Sequence, residues 1–142
     1  MFNRILVVCA GNICRSPAAQ FLLERYTGRQ VSSAGLQALV DHDMDSTARE
    51  VATAAGLECG AHTARKLTRE LCRDADLILV MENSQKEQVS RMAPEASGKT
   101  MLLGHWIDKR EIPDPYKRHR EVYEQVHQLL DQAAQAWAAR LK

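Results

Sequence analysis

Two residues near the start of the chain could perform chemistry together. Cys9 and Arg15 enclose the segment Ala10-Gly11-Asn12-Ile13-Cys14, and Ser16-Pro17 follows directly. A cysteine thiolate is a strong nucleophile, and the planar guanidinium of arginine binds two oxygens of a phosphate at once. Gly11 allows the segment to curl tightly, so that its backbone N–H groups can surround an anion. We interpret the segment as a loop that holds one tetrahedral dianion against the Cys9 sulfur.

The elements on either side of this loop would position it for that chemistry. Residues 5–8, Ile-Leu-Val-Val, form a short apolar run that is typical of a strand covered on both faces. Ser16 and Pro17 match the N-cap and the first position of a helix, which Gly28 would end. The loop would therefore join the carboxyl end of a strand to the N-terminus of a helix, where α/β proteins bind anions.

The same surroundings favour the ionised form of Cys9. Helix N-termini and nearby cations lower the pKa of a cysteine thiol from about 8.5 to roughly 3.5–7.5. We therefore expect the loop N–H groups, the Ser16 hydroxyl and Arg15 to keep Cys9 as a thiolate at neutral pH. The alternative is a small buried hydrophobic residue at a strand end, which is the commoner use of a lone cysteine. The segment lacks the Lys-Ser/Thr ending of a nucleotide P-loop and the Gly-x-Gly-x-x-Gly of dinucleotide sites.

Strand and helix patterns alternate along the rest of the chain. Further strands are predicted at residues 31–34, 77–81 and 100–103, and further helices at residues 46–55, at 68–72 and from a Ser84/Glu87 capping box to Pro94. Residues 104–117 form a long loop, and a final helix carries an apolar face of Val122, Val126, Leu129, Leu130, Ala133 and Trp137. This order predicts an α/β fold with a parallel sheet and helices on both faces.

The composition limits the partners of the protein. The chain has 142 residues, 45% of them hydrophobic, and its 19 Lys and Arg nearly balance its 18 Asp and Glu. This balance argues against a nucleic-acid binder, which would carry a strong basic excess. The apolar run at residues 5–8 is too short for a signal peptide or a membrane span, so we expect a cytoplasmic protein with free thiols and no membrane insertion. The four cysteines show no zinc-ligand spacing, and we expect no metal.

The segment from Cys9 to Pro17 resembles the N-terminal signature of the low-molecular-weight protein tyrosine phosphatases. Asp114-Pro115-Tyr116 stands where that family keeps its general acid, and further family-like segments are Ser33-Ala34-Gly35, His62-Thr63-Ala64-Arg65 and Leu79-Val80-Met81-Glu82. Gly104-His105-Trp106 and Ile112-Pro113-Asp114-Pro115-Tyr116 resemble most closely the bacterial members that oppose tyrosine autokinases of capsule or exopolysaccharide export. The resemblance implies a single domain over residues 1–142, a three-layer α/β/α fold, and a four-stranded parallel sheet in the order 2-1-3-4.

The resemblance also implies roles for the site residues. Cys9 would attack phosphorus, Arg15 would hold the phosphoryl oxygens, and Asp114 would protonate the leaving phenolate and later activate water, with no cofactor or metal. The residues that would bind the substrate are Ala10, Gly11, Asn12, Ile13, Cys14 and Ser16 at the phosphate, and Leu39 and Tyr116 as walls against the ring. The residues that would support the loop are Asn12, Ser33, His62 and Glu82.

Several of these residues have ordinary alternatives. Asp114 could form only an Asp-Pro turn, Leu39 could be an exposed loop residue, and Tyr116 could be a packed aromatic. His62 could be a structural histidine. In the family, a second cysteine in the loop, here Cys14, can form a reversible disulfide with the nucleophile and protect it from over-oxidation.

Two other functions share parts of this pattern. A thiol-linked arsenate reductase has the same fold and loop, but it relays oxidation through further cysteines at close spacing, whereas Cys59 and Cys72 stand thirteen residues apart and are interpreted as structural. A non-catalytic phosphotyrosine-binding or redox-sensing module would not need both Cys9 and Asp114. We therefore predict a hydrolase for a phosphotyrosine protein, with a bacterial tyrosine autokinase as its partner, that is a monomer or a weak dimer.

Overall fold

A four-stranded parallel sheet runs through the centre of the molecule. The computed structural model describes residues 2–141, and the strands are β1 (Arg4–Cys9), β2 (Gln30–Gly35), β3 (Leu77–Val80) and β4 (Thr100–Leu102). The sheet order is β2-β1-β3-β4, and each neighbouring pair is parallel. β1 therefore lies inside the sheet, with Val7 opposite Ser33 on one side and opposite Leu79 on the other. The predicted fold class and strand order are confirmed.

Helices cover both faces of the sheet. They are α1 (Arg15–Thr27), α2 (Ser46–Ala54), α3 (Arg69–Asp74), α4 (Asn83–Met92) and α5 (Arg120–Arg140), with 3₁₀ turns at Pro94–Lys99 and Leu103–Trp106. Side chains alternate along β1, since Ile5 and Val7 enter the core shared with α1, α2 and α5, while Leu6 and Val8 enter the core shared with α3 and α4. Because both faces are buried, this strand is apolar throughout residues 5–8.

α1 begins earlier than predicted. Arg15 is its first residue and Cys14 its N-cap, so the predicted capping by Ser16 is wrong. The Ser16 hydroxyl instead contacts the side chains of Cys9 and Asn12. Pro17 is still compatible with the helix, because the first four N–H groups of a helix have no partner within it. As predicted, the helix ends at Gly28, which has a φ of 66°.

α4 also begins differently from the prediction. Its N-cap is Glu82, and Oε1 of Gln85 accepts a hydrogen bond from the Glu82 backbone N–H at 3.2 Å. The predicted pair of Ser84 and Glu87 therefore does not cap this helix. Glu82 lies two residues after the end of β3, and its carboxylate contacts Arg15 at the carboxyl edge of the sheet.

The long loop between β4 and α5 is fastened to the sheet. Ile112 is fully buried, and its N–H donates to the carbonyl of Met81 at 2.9 Å. A Cβ atom at Gly104 would collide with the carbonyl oxygen of Arg110, so the chain can turn back this closely only at a glycine. These contacts place Asp114 and Tyr116 near the same edge of the sheet as the loop that follows β1.

α5 is the last helix and covers one face of the molecule. Trp137 is buried in that face, and its Nε1 donates to the carbonyl of Leu103 at 2.8 Å, which ties the helix to the end of β4. Neither α5 nor any other helix within residues 2–141 is both long enough and apolar enough to cross a membrane.

Candidate active site

The loop between β1 and α1 turns its carbonyl groups outward. The carbonyl oxygens of residues 9–13 each accept a hydrogen bond from outside the loop. The bonds are Leu36 N to Cys9 O (3.0 Å), Gln37 N to Ala10 O (2.9 Å), Leu39 N to Gly11 O (3.0 Å), His62 Nε2 to Asn12 O (2.6 Å) and Asp45 N to Ile13 O (2.8 Å). Because the N–H of a trans peptide unit points away from its C=O, the N–H groups of residues 10–14 face the inside of the loop.

Two backbone positions make this arrangement possible. Asn12 has a φ of 58°, in the left-handed region that asparagine enters more readily than most residues. Gly35, at the end of β2, lies so close to the loop that a Cβ atom there would be 2.6 Å from the carbonyl oxygen of Ala10. The segment after β2 can therefore reach the loop carbonyls only because this position is a glycine.

The floor of the site consists of Cys9, Asn12, Arg15, Ser16 and Ser33, none of which is more than 4% exposed. Sγ of Cys9 lies 2.9 Å from Oγ of Ser16 and accepts a hydrogen bond from the Asn12 N–H at 3.3 Å. Nδ2 of Asn12 donates to Oγ of Ser16 at 2.8 Å and to Oγ of Ser33 at 3.0 Å. Donors directed at the sulfur favour its ionised, nucleophilic form.

Arg15 is held along one edge of its guanidinium group. Its Nη1 donates to Oε2 of Glu82 at 2.6 Å and to the carbonyl of Ile112 at 2.8 Å. Its Nε is buried and has no acceptor within residues 2–141, and its Nη2 lies 3.8 Å from Oδ2 of Asp114. The edge formed by Nε and Nη2 can therefore bind two oxygens of an anion while the other edge stays fixed.

The mouth of the site consists of Gln37, Leu39, Asp114 and Tyr116. These residues surround a cavity of about 190 Å³, and the residues that line the rest of it are Cys9, Ala10, Gly11, Ile13, Cys14 and Arg15. The side chain of Asp114 is 47% exposed, and its Oδ1 accepts a hydrogen bond from the Tyr116 N–H at 3.0 Å. Asp114 thus forms the Asp-Pro turn and also places its carboxylate at the cavity. An acid and two apolar side chains share the opening above the Cys9 sulfur.

The predicted site residues divide into those at the cavity and those behind it. The predicted residues that line the cavity are Cys9, Ala10, Gly11, Ile13, Cys14, Arg15, Leu39, Asp114 and Tyr116. Asn12 and Ser16, also predicted to bind phosphate, are fully buried, and their side chains lie behind the loop, where Ser16 contacts the sulfur directly.

Three of the four predicted supporting residues lie outside the loop and contact it from different elements. Ser33 of β2 accepts a hydrogen bond from the Asn12 side chain, and His62 donates to the Asn12 carbonyl. Glu82, after β3, contacts Arg15. The structure therefore brings all three to the loop, each at a group that keeps the loop in its shape.

Sequence reasoning missed several residues that contact the loop. Gln37 lines the cavity, and its backbone N–H is one of the outward partners of the loop. The backbone N–H of Arg65 donates to Oδ1 of Asn12 at 3.0 Å, and Gln20 accepts a hydrogen bond from Ser33 at 2.8 Å. Gln37 follows the family-like segment Ser33-Ala34-Gly35 closely, and Arg65 belongs to the segment His62-Thr63-Ala64-Arg65, so both had a signal in the sequence. Gln20 had none.

The remaining cysteines differ from Cys9 in their surroundings. All four cysteines are free thiols. Burial raises the pKa of Cys14 far above its ordinary value, and the carboxylates of Asp45 and Asp114 add to the effect. Burial also raises the pKa of the Cys59 and Cys72 thiols, and neither of them lines the cavity. In the part of the chain that the structure describes, no group of three or more His, Cys, Asp or Glu side chains is arranged to bind a metal ion.

Comparisons with known proteins cover nearly the whole chain. Residues 4–142 match the family model described as low molecular weight phosphotyrosine protein phosphatase. The chain is 52% identical over 142 residues to the low molecular weight protein-tyrosine-phosphatase Wzb of Escherichia coli K12, which covers 99% of this chain and 97% of that protein.

Two solved structures share the fold closely. The tyrosine phosphatase Wzb from Escherichia coli K30 in complex with sulphate has a TM-score of 0.98 and 52% identity, and the match covers 100% of both chains. Vibrio vulnificus Wzb in complex with benzylphosphonate has a TM-score of 0.97 and 45% identity, and the match covers 99% of this chain and 100% of that one.

Proposed function

Because the chain belongs to the low molecular weight phosphotyrosine protein phosphatase family and is a protein-tyrosine phosphatase, we propose that it hydrolyses phosphotyrosine through a covalent phosphate on Cys9. The observation that carries this proposal is the ring of inward N–H groups around the Cys9 sulfur, with Arg15 fixed beside it. Two similar Wzb proteins were solved with sulphate and with benzylphosphonate, which are tetrahedral anions of the kind such a ring would hold.

In the first step, the Cys9 thiolate attacks the phosphorus atom. The S–P bond forms while the bond from phosphorus to the phenolic oxygen breaks, and Asp114 gives its proton to the departing oxygen. Arg15 and the N–H groups of residues 10–14 hold the three remaining oxygens as charge redistributes among them. The products of this step are a tyrosine side chain and a phosphocysteine.

In the second step, water attacks the phosphocysteine. The carboxylate of Asp114 accepts a proton from the water, the new P–O bond forms, and the S–P bond breaks to return the Cys9 thiolate and inorganic phosphate. The Ser16 hydroxyl and the Asn12 N–H, which contact the sulfur, stabilise the thiolate as a leaving group. Arg15 and the loop N–H groups supply the positive field in both steps, so these steps use no metal ion or cofactor.

The mouth supports an aromatic phosphate as substrate. Leu39 and Tyr116 line the opening of the cavity and are proposed to pack against the two faces of a phosphotyrosine ring. His62, Ser33, Asn12 and Glu82 are proposed to hold the floor in shape for that substrate. On this proposal, Ser16 and the Asn12 N–H contact the sulfur, and the Asn12 side chain holds the shape of the loop. The Asn12 N–H is also proposed as one of the donors to the phosphate.

The proposed partner is a bacterial tyrosine autokinase that controls capsule or exopolysaccharide production. The support is the resemblance of Gly104-His105-Trp106 and Ile112-Pro113-Asp114-Pro115-Tyr116 to bacterial members of the family, together with the similarity of the whole chain to Wzb proteins. On this proposal the protein acts in the cytoplasm on a phosphotyrosine protein, as a single domain that is a monomer or a weak dimer.

An arsenate reductase of the same fold is the alternative enzyme. Its relay would need further reactive thiols beside the nucleophile, but burial raises the pKa of both Cys59 and Cys72, and both lie away from the cavity. A non-catalytic phosphotyrosine-binding or redox-sensing module is the other alternative, and the presence of both Cys9 and Asp114 at one cavity weighs against it.

The test measures hydrolysis of an aryl phosphate in the presence of a metal chelator. We expect turnover by the parent protein, no turnover by Cys9→Ser, and full turnover by the matched control Cys59→Ser, which replaces a half-buried cysteine outside the cavity. Trapping of a phosphorylated Cys9 peptide by rapid acid quench would identify the intermediate. Activity retained by Cys9→Ser would overturn the mechanism, and arsenate reduction with a thioredoxin system in place of hydrolysis would favour the reductase.

A further inference from the structure

Four polar side chains behind the loop form one continuous hydrogen-bonded path to the Cys9 sulfur. Oγ of Ser33 donates to Oε1 of Gln20 at 2.8 Å, Nδ2 of Asn12 donates to both Ser33 and Ser16, and Oγ of Ser16 lies 2.9 Å from the sulfur. Gln20 stands at the far end of this path, on α1, half-buried and outside the cavity.

We infer that Gln20 is a positioning residue, which fixes the direction of the hydrogen bonds that reach the Cys9 sulfur. Gln20 touches neither the sulfur nor the cavity, so it acts only through Ser33 and Asn12. The inference rests on the role proposed above for Cys9 as the nucleophile.

The contact with Arg65 fixes the orientation of the Asn12 amide. The backbone N–H of Arg65 lies 3.0 Å from Oδ1 of Asn12. A backbone N–H can only donate, so the atom that faces it must be the amide oxygen. The amino group of Asn12 must then face the two serines, and it gives one hydrogen to each hydroxyl oxygen.

The orientation of the Asn12 amide in turn fixes the directions of the two serine hydroxyl protons. Since Oγ of Ser16 already accepts from Asn12, its own proton is free to point at the Cys9 sulfur. Oγ of Ser33 also accepts from Asn12, so its proton needs a different acceptor, and Oε1 of Gln20 is that acceptor. Ser33 is only 4% exposed, and a buried hydroxyl without a partner is unfavourable.

Gln20 must therefore present its oxygen to Ser33, because its amino group cannot accept a hydrogen bond. If the Gln20 amide were reversed, Nε2 would donate to Ser33 beside Asn12, and the Ser33 proton would have no acceptor. Without any acceptor at position 20, the Ser33 hydroxyl can turn its proton toward Asn12 and compete with the amide hydrogens. The Asn12 amide then loosens, and with it the Ser16 O–H bond that favours the Cys9 thiolate.

The charged and titratable groups around the sulfur do not depend on Gln20. The groups nearest the sulfur and its loop are Arg15, Glu82, Asp114, His62, Asp45 and the Cys14 thiol. Arg65 lies beside the path itself, where its Nε donates to the carbonyl of Ser33 at 2.9 Å. A change in Cys9 ionisation on substitution of the uncharged Gln20 would therefore report on the hydrogen-bonded path.

The test compares the parent protein with Gln20→Met, which keeps the length of the side chain but has no acceptor oxygen. The alkylation rate of Cys9 by iodoacetamide is followed against pH, with mass spectrometry of the Cys9 peptide to separate it from the other thiols. We expect the pH of half-maximal rate to rise by about 0.5–1 pH unit, which lowers the rate about three- to tenfold on the acid side and leaves it within about twofold at high pH. The acid limb of kcat/KM should move by the same amount.

A control variant on the same helix separates this effect from a general loss of polarity. Glu24→Met replaces an exposed residue one turn further along α1 and should leave the pH of half-maximal alkylation unchanged. Thermal melting reports whether each variant is folded, and Gln20→Leu, which also lacks an acceptor, takes the place of Gln20→Met if that protein is unfolded.

A double-mutant cycle with Ser33→Ala distinguishes the path from a structural effect. In the Ser33→Ala background no hydroxyl remains for Gln20 to accept from, so Gln20→Met should cause no further rise. An unchanged pH midpoint for Gln20→Met, or an equal rise in both backgrounds, would overturn the inference. Activity retained by Cys9→Ser would instead overturn the proposed mechanism, so the two failures are distinguishable.

Discussion

The floor and the mouth of the site are built from different kinds of contact. In the floor, no side chain is more than 4% exposed, and hydrogen bonds connect α1, β2 and the loop between β1 and α1. In the mouth, Asp114 is 47% exposed and Tyr116 is 37% exposed, and their mutual hydrogen bond lies within a single turn.

This difference matches two different physical tasks. Dipoles that stabilise a transferring phosphoryl group act best when they are fixed before the reaction, because they then need no reorganisation. Contacts with an aromatic ring draw mainly on buried apolar area, and that contribution is non-directional. We therefore expect small changes in the floor to be more harmful than large changes in the mouth.

Arg15→Lys tests whether the floor must keep its exact geometry. A lysine keeps the charge but lacks the planar fork that contacts Glu82 and Ile112 on one edge and the phosphate on the other. We expect kcat/KM for an aryl phosphate to fall by about 10³-fold, with a folded protein by circular dichroism. The matched control is Arg25→Lys, an exposed position on the same helix, and a loss of less than about tenfold in Arg15→Lys would contradict the rigid floor.

Asp114→Asn tests the one residue of the mouth with a proposed chemical role. Asparagine cannot give a proton to the leaving oxygen, so we expect kcat/KM, which reports the steps through departure of the leaving group, to fall by about 10²-fold for phenyl phosphate. It should fall much less for p-nitrophenyl phosphate, whose leaving group needs little protonation. Asp108→Asn, an exposed loop position with a φ of 64°, is the control. Equal losses for both substrates would argue against Asp114 as the general acid.

Tyr116→Leu tests the contribution of the mouth to substrate binding, because it removes one proposed wall and leaves Asp114 in place. The ring contact is worth about 0.5–1.5 kcal/mol, so kcat/KM should fall by about two- to tenfold, mainly through KM. Steady-state kinetics with a phosphotyrosine peptide and with a small alkyl phosphate measures the effect. The alkyl phosphate should be nearly insensitive, and an equal loss for both compounds would show that Tyr116 does not contact the ring.

Cys14 lines the cavity, and its buried thiol makes the free energy of unfolding depend on pH. Burial, with Asp45 and Asp114, raises the pKa of this thiol far above the ordinary value of 9.0, so the unfolded chain loses its proton first as pH rises. This contribution to the free energy of unfolding is complete well below pH 9 and is lost as the pH rises past 9, by roughly 1 kcal/mol at pH 9.5. Urea unfolding at pH 7.5 and 9.5 should show a smaller fall for Cys14→Ala than for the parent, and equal falls would contradict the prediction.

The sequence was sufficient to predict the fold and the centre of the site, because those features leave local patterns. The apolar run at residues 5–8 indicated the buried strand, and Cys9, Arg15 and Asp114 belonged to recognisable motifs. The predicted start of α1 was wrong because the Ser16 side chain is suited both to cap a helix and to hydrogen-bond a sulfur. Only the folded structure shows that it contacts Cys9. The predicted start of α4 was wrong for a similar reason, since the N-cap is Glu82, which follows β3 by two residues, and not Ser84.

The residues that hold the loop could not be predicted because their contacts are long-range in sequence. The N–H groups of Leu36, Gln37 and Leu39 are backbone donors, which any residue type supplies, so no side-chain pattern marks them. Gln20 was missed since a single glutamine on a helix resembles an ordinary surface residue until Ser33 is placed beside it.

The outward hydrogen bonds of the loop also have a consequence for local unfolding. The loop carbonyls of residues 9–11 accept from Leu36, Gln37 and Leu39, and the last two of these residues also form the mouth. An opening motion that releases residues 36–39 must break these bonds and thereby free the carbonyls of residues 9–11, so we expect this side of the mouth and the start of the loop to exchange their amide hydrogens with solvent as one cooperative unit. Protection of the Leu36, Gln37 and Leu39 amides in native-state exchange therefore measures the free energy of keeping the catalytic loop closed.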